Sequence, residues 1–331
     1  MIENASLELL RNKKNLLAFS GGADSTALFF LLLREKIPFD IAIVDYGVRA
    51  QSKLEVVHAK DLAALHNLTC HSYEAPKIEN NFEATARKIR YDFFEELIAK
   101  HGYENLLTAH HLGDRFEWML MQFCKGAGCA ELVGMQRVQK REGYTLVRPL
   151  LHLDKQELLH FLHAGKIEYF KDASNDDERF KRNEFRHNVT LPLLEKYLGG
   201  IKKSFEYLDE DADALLGEVG LEHVEGLAYF VATNNPRTDI FFIDKYLKTQ
   251  GHMMSAAERE LLKNEKSAVV GRKFSITHAK EYICIAPYEA KECNMPKEFK
   301  EKMRILGVDP KLRCYLFAHP LACAKLQALL A

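Results

Sequence analysis

The sequence lacks any long apolar run. The longest, "ALFFLLL" (Ala27 to Leu33), is far short of the ~20 residues that a membrane-crossing helix needs. The opening stretch "MIENASLELLRNKKN" has no apolar core of the kind a secretory leader requires. C-x-x-C pairs are also missing. The cysteines stand at 70, 124, 129, 284, 293, 314 and 323, an odd number without ligand spacing, which argues against a disulfide framework or a zinc ribbon and fits a reducing, cytoplasmic setting. Net charge is nearly absent, −1 at pH 7, so a nucleic-acid partner would have to be met by a local basic patch rather than by the overall field. Two common nucleotide signatures are missing too, G-x-x-x-x-G-K-S/T and G-x-G-x-x-G. There is no internal repeat and no low-complexity tract.

What is present is enough apolar sequence for a sizeable core: 47% of 331 residues, a length that points to two domains. In the first half, short β-rich runs ("NLLAF", "FDIAIVD", "TCHSYEA", "ENLLTAH") alternate with helical spacing over Ser52 to His66 and Phe82 to Lys100. That alternation predicts βαβ units around a parallel sheet. Ligands of such sheets sit beyond the carboxyl ends of the strands, so Ser20 to Ser25, Asp45 to Arg49 and His110 to Asp114 are expected to converge on one crevice. From Asp154 the pattern turns helical ("DKQELLHFLHAGK"), and the Gly199-Gly200 pair marks the expected boundary between domains 1–199 and 200–331. Beyond it, "IKKSFEYLDEDADALLGEV" has amphipathic helical spacing and "EYICIA" reads as a strand.

The stretch "LLAFSGGADSTALFFLLL" runs from an apolar strand through a glycine loop into a helix. Unpaired N–H groups at the helix start, the positive end of its dipole and close-approaching glycines make such a loop a phosphate cradle, to which Ser20 and Ser25 add hydroxyls. By these residues alone it is equally a plain turn with a serine or aspartate capping the helix. The motif "SGGADS" resembles the pyrophosphate loop of the N-type ATP pyrophosphatases, the Rossmann-like adenine nucleotide alpha hydrolase class. The resemblance implies cleavage of ATP between its α and β phosphates, with Ser20, Gly21, Gly22, Ala23, Asp24 and Ser25 holding pyrophosphate. A bare carboxylate would repel that pyrophosphate, so Asp24 is a candidate to hold Mg²⁺ against it.

Four further stretches follow in order: "EATARKIRYDFFEEL", "LLTAHHLGDRFEWMLMQFCKGAG", "VRPLL" and "KDASNDDERFKRNEFRHNVTLPLLE". With "SGGADS" they resemble the tRNA(Ile)-lysidine synthetase family over roughly the first 195 residues. That family joins free L-lysine to C2 of the wobble cytidine of tRNA(Ile) with the CAU anticodon, after ATP-dependent adenylation of the cytidine. Tyr46, Gly113 and Lys125 depart from the family pattern, which tends to carry histidine, an acid and arginine there. His110, Asp114 and Glu117 share one helix face if a helix begins near here. His110 is a candidate to take the proton from the lysine ammonium, whose ordinary pKa is ~10.4. Asp114 has three possible uses: to orient that imidazole, to receive the ammonium or, with Glu117, to hold the metal; equally, His110 and Asp114 are a strand-end and a helix-start residue satisfying backbone donors. By the resemblance Arg90 is a catalytic candidate for the α-phosphate, and Arg182 and Arg186 are candidates for contact with the adenylate or the tRNA backbone.

The expected architecture is therefore α/β, a parallel-sheet ATP pyrophosphatase domain with a smaller, mainly helical C-terminal domain for tRNA recognition. Its basic candidates are Lys263, Lys266, Arg272, Lys273 and Lys280. ATP, Mg²⁺, tRNA(Ile) and free lysine are the expected ligands, and assembly as a homodimer is left open. The competing readings are a tRNA thiolase of the same superfamily, which the cysteine spacing disfavours, and an amide-forming synthetase for a small metabolite.

Overall fold

The computed structural model describes residues 1–48, 50–170, 184–217, 219–288 and 293–331. Strands β1 (Asn15–Ala18), β2 (Phe39–Asp45), β3 (Cys70–Glu74), β4 (Asn105–Leu107), β5 (Val138–Arg141) and β6 (Tyr144–Val147) form one sheet of order β3-β2-β1-β4-β6-β5. Every neighbouring pair is parallel except the edge strand β5, which runs antiparallel to β6. The four strands expected from sequence are the first four of this sheet.

Helices cover both faces, which is why the central strands read as apolar runs rather than as alternations. Leu16, Leu106 and Leu146 lie side by side in register and pack with Phe94, Leu97 and Ile98 of helix α4 (Phe82–His101). The next residue of each strand, Leu17, Leu107 and Val147, faces the other way and joins a larger core. That core is built from α1 (Asn4–Leu10), α2 (Ala23–Arg34), α3 (Ala50–Leu65) and α7 (Lys155–Ala164). A one-residue slip of any strand would exchange the two sets. Two buried asparagines lock the register at the foot of the sheet: Asn105 Nδ2 donates to Asn15 Oδ1 at 2.8 Å, and Asn15 Nδ2 donates to the Leu10 carbonyl at 3.0 Å.

The chain separates into two compact units, Met1–Asp209 and Glu210–Ala331. Gly199 and Gly200 lie within the helix Leu191–Leu216, which is interrupted at Tyr197 (φ −129°, ψ 24°). Glycine costs a helix ~1 kcal/mol relative to alanine. Packing of Leu194, Leu198, Ile201 and Phe205 with Leu112 and Phe116 outweighs that local preference.

The second unit has a five-stranded antiparallel sheet of order β7-β8-β11-β10-β9, made of β7 (Glu222–Val224), β8 (Leu227–Val231), β9 (Ser267–Val270), β10 (Phe274–Ala279) and β11 (Tyr282–Pro287). Its helices lie on both faces. Leu227, Tyr229, Cys284 and Ala286 pack with helices Lys297–Ile305, Pro310–Ala318 and Pro320–Leu330, and Ala228, Phe230, Ile283 and Ile285 with Pro236–Thr249 and Ala256–Asn264. Of this sheet only β11, which contains most of "EYICIA", is legible in the sequence pattern. A disulfide joins Cys293 to Cys314, with Cα atoms 5.7 Å apart; spacing alone paired no cysteines. Among the described residues no helix is long and apolar enough to cross a membrane.

Candidate active site

Between β1 and α2 the chain turns through Ser20, Gly21 and Gly22. Gly21 has φ +74°, and a Cβ there would stand 3.3 Å from the Phe170 ring. The Phe170 N–H donates to the Gly21 carbonyl at 2.9 Å, so the segment that follows α7 holds the loop. Ser25, buried, ties the turn together: its Oγ accepts from the Ser20 N–H at 3.2 Å, lies 3.0 Å from Ser20 Oγ and donates to the Gly22 carbonyl at 3.1 Å. Gly22 occupies the N-cap and brings no side-chain acceptor, so the first-turn N–H groups of Ala23, Asp24 and Ser25 lack a side-chain cap. This geometry suits phosphate oxygens.

Asp24 is ion-paired. Lys155 Nζ lies 2.5 Å from its Oδ1, with the two side chains 31% and 32% exposed. Lys155 is the first residue of α7, whose start is fixed by a capping box: the Asp154 carboxylate accepts from the Gln156 N–H at 3.1 Å, and the Glu157 carboxylate from the Asp154 N–H at 2.7 Å. A loop without a lysine of its own thus receives one from 131 residues away.

At the end of β4, His110 Nδ1 lies 2.9 Å from Thr108 Oγ1. His111 then caps helix α5 (Leu112–Phe123): its Nδ1 accepts from the Gly113 N–H at 3.0 Å, while Asp114 Oδ2 accepts from the His111 N–H at 3.0 Å. Asp114 is thus a helix-start acid with a backbone donor. Its other oxygen faces Arg186, whose Nη2 lies 3.5 Å from Asp114 Oδ1 and whose Nε donates to Glu117 Oε2 at 3.0 Å. Glu117 is only 1% exposed. Arg186 opens a π-helical turn, Arg186–Thr190, of the kind that often marks functional positions. Three of the residues expected from sequence therefore form one ion-pair cluster.

Arg90 stands on the exposed side of α4. Burial raises the pKa of the Tyr46 phenol and the neighbouring Arg90 charge lowers it, which places this arginine by the segment following β2. The Tyr46 hydroxyl donates to the Ala86 carbonyl at 3.1 Å. Ser20–Ser25, Asp45–Val48 and His110–Asp114 thus follow β1, β2 and β4, three adjacent strands, at the point where the sheet changes its direction of winding. Arg182 lies outside the described residues, as does Arg49.

The family described as "PP-loop domain" matches residues 2–193. A tRNA(Ile)-lysidine synthase of Helicobacter pylori (strain ATCC 700392 / 26695) is 45% identical over 315 residues, spanning 95% of this chain and 92% of that protein. The Campylobacter jejuni (strain ATCC 700819 / NCTC 11168) protein of the same name is 41% identical over 327 residues, 98% of this chain and 99% of that one. The chain belongs to the tRNA(Ile)-lysidine synthase family. Among solved structures, the U34-tRNA thiolase NcsA from Methanococcus maripaludis has the same fold, with a TM-score of 0.53 at 15% identity over 67% of this chain and 83% of that one.

A Cβ at Gly113 would stand 2.8 Å from His111 Cε1, so the imidazole that caps α5 occupies the space a side chain would take there. Three further residues were not singled out from sequence. Lys155 read only as part of a helix start. Arg115, within "HHLGDRFE", is 5% exposed, lies 4.3 Å over the Phe205 ring, and donates to both oxygens of Asp209 and to the Val133 carbonyl. Arg148, in "VRPLL", is buried; its pKa is pushed down to about 10 by that burial, and it donates to the Gln136 carbonyl at 2.7 Å. No local pattern distinguishes these from surface cations, since each partner is distant in sequence or a backbone carbonyl.

Proposed function

We propose that the crevice at the carboxyl ends of β1, β2 and β4 adenylates the wobble cytidine of tRNA(Ile) and joins free L-lysine to its C2, forming lysidine and releasing pyrophosphate and AMP. The observation that carries this reading is identity of 41–45% with tRNA(Ile)-lysidine synthases over nearly the whole chain. ATP use rests on the PP-loop domain.

The chemistry explains the parts. C2 of cytosine belongs to a urea-like carbonyl that resists amines, so O2 must become a leaving group. O2 attacks the α-phosphorus as the bond to pyrophosphate breaks; the lysine side-chain amine then attacks C2, and O2 departs with AMP. Ser20 to Ser25 cradle the leaving pyrophosphate, and Arg90 stabilises charge on the α-phosphate. His110 takes a proton from the lysine ammonium. Asp24 fits magnesium, a hard cation that favours one or two carboxylates plus phosphate oxygens and, when bound, would screen the charge of the leaving group. Asp114 and Glu117 are matched by Arg186, and that cluster, with Arg182, orients cytidine and adenylate. The second unit contacts tRNA, and the setting is cytoplasmic.

A thiolase reading draws on the NcsA fold alone. The deciding experiment incubates the protein with ATP, labelled lysine and unmodified tRNA(Ile). Label is expected on the tRNA with stoichiometric AMP and pyrophosphate; pyrophosphate release without label on the tRNA would overturn the reading.

A further inference from the structure

In lysine-bearing nucleotide loops, the lysine is part of the loop sequence and reaches the outer phosphates. Here the loop has none, and helix α7 brings Lys155 to the carboxylate of Asp24, in the first turn of α2, a helix whose N-cap Gly22 supplies no side-chain acceptor. The root of this side chain is fixed. The Asp154 and Glu157 capping box sets the start of α7, and Leu158 and Leu162 pack in the same core as Leu28, Leu31 and Leu32 of α2. The charged ends are not buried, and a part-exposed ion pair is weakly held and open to exchange. Among the described residues, Asp24 is the acceptor of Lys155, and a pyrophosphate oxygen carrying more charge is a stronger one.

We propose that Lys155 is a pyrophosphate-binding residue of this loop. It neutralises Asp24 in the ligand-free enzyme and moves to the phosphate oxygens when nucleotide enters, freeing the Asp24 carboxylate for the cation. This deepens the reading that the loop cleaves ATP to AMP and pyrophosphate, and rests on it.

The test is calorimetric titration of the full chain with inorganic pyrophosphate in EDTA and, separately, with Mg²⁺ alone, for the wild type, Lys155→Met and Lys155→Arg. Lys155→Met should lose about tenfold or more in metal-free pyrophosphate affinity, the loss of one charge-assisted contact, while Lys155→Arg stays within about threefold. Mg²⁺ alone should bind Lys155→Met several-fold more tightly, because Asp24 is then unpaired. A merely structural lysine would weaken both affinities together. That result, or unchanged pyrophosphate affinity in Lys155→Met, overturns the proposal. Lys155-dependent pyrophosphate binding in a wild-type protein that transfers no lysine to tRNA(Ile) would uphold this assignment and sink the lysidine reading instead.

Discussion

Replacing Arg115 tests how α5, the helix that carries Asp114 and Glu117, is held in place. In Arg115→Met the aliphatic stem is largely kept and the guanidinium is lost. The buried Val133 carbonyl then loses donors at 3.3 and 3.2 Å, and an unsatisfied buried acceptor costs ~1–3 kcal/mol. The guanidinium lying 4.3 Å over the Phe205 ring contributes ~1–2 kcal/mol where desolvated. Asp209, 47% exposed, rehydrates at little cost, and the desolvation of the arginine is recovered. The net loss is about 2–3 kcal/mol, a fall in urea midpoint of roughly 1 M. Trp118, the one tryptophan of the chain, sits on α5 itself, so its emission follows the affected helix directly. Asp209→Asn should cost no more than ~1 kcal/mol by the same signal. An unfolding free energy for Arg115→Met within about 0.5 kcal/mol of wild type, or an Asp209→Asn loss as large as that of Arg115→Met, would refute the reasoning.

Other expectations follow from the same geometry. Gly21→Ala forces a side chain into a left-handed conformation and against Phe170, so pyrophosphate release should fall at least about tenfold, measured by a coupled phosphate assay. On the proposed role at the α-phosphate, Arg90→Ala should lower turnover on the order of 10²-fold; because the residue is exposed, the urea midpoint should stay put. The pKa of His71 is held below its ordinary value by burial and by the nearby His101 charge, so as pH falls through ~6.5 the unfolded chain takes up the proton first and stability declines. Urea midpoints at about pH 7.5 and 5.5 should show a smaller decline for His71→Gln than for wild type. Cys284 is buried with its thiol pushed up to about 12, whereas Cys124 is exposed, so iodoacetamide should label Cys124 well before Cys284 in native protein, as peptide mass mapping would show.

The pattern of residues by itself determined the four parallel strands β1 to β4 of the first unit, though not β5 and β6. Leu16, Leu17, Leu106 and Leu107 sit in short apolar runs flanked by helical spacing, and a chain with that alternation can bury both faces of its strands only between layers of helices. It also determined the strand, turn and helix around "SGGADS", because that signal is local and its parts lie within a few residues of one another. Tertiary structure decided the rest. Gly199 and Gly200 stayed helical because Phe205 and Leu194 pack with Phe116, an energy absent from local preference. Arg186 met Asp114 and Glu117 only once Leu194 and Phe205 packed with Leu112 and Phe116 of α5, and Lys155 met Asp24 only once α7 lay along α2. The carboxylate of Asp24 was visible in the sequence. The cation that balances it was not, because a charge pair across 131 residues leaves no periodicity, and only the packing of two helices sets the distance over which the charges act.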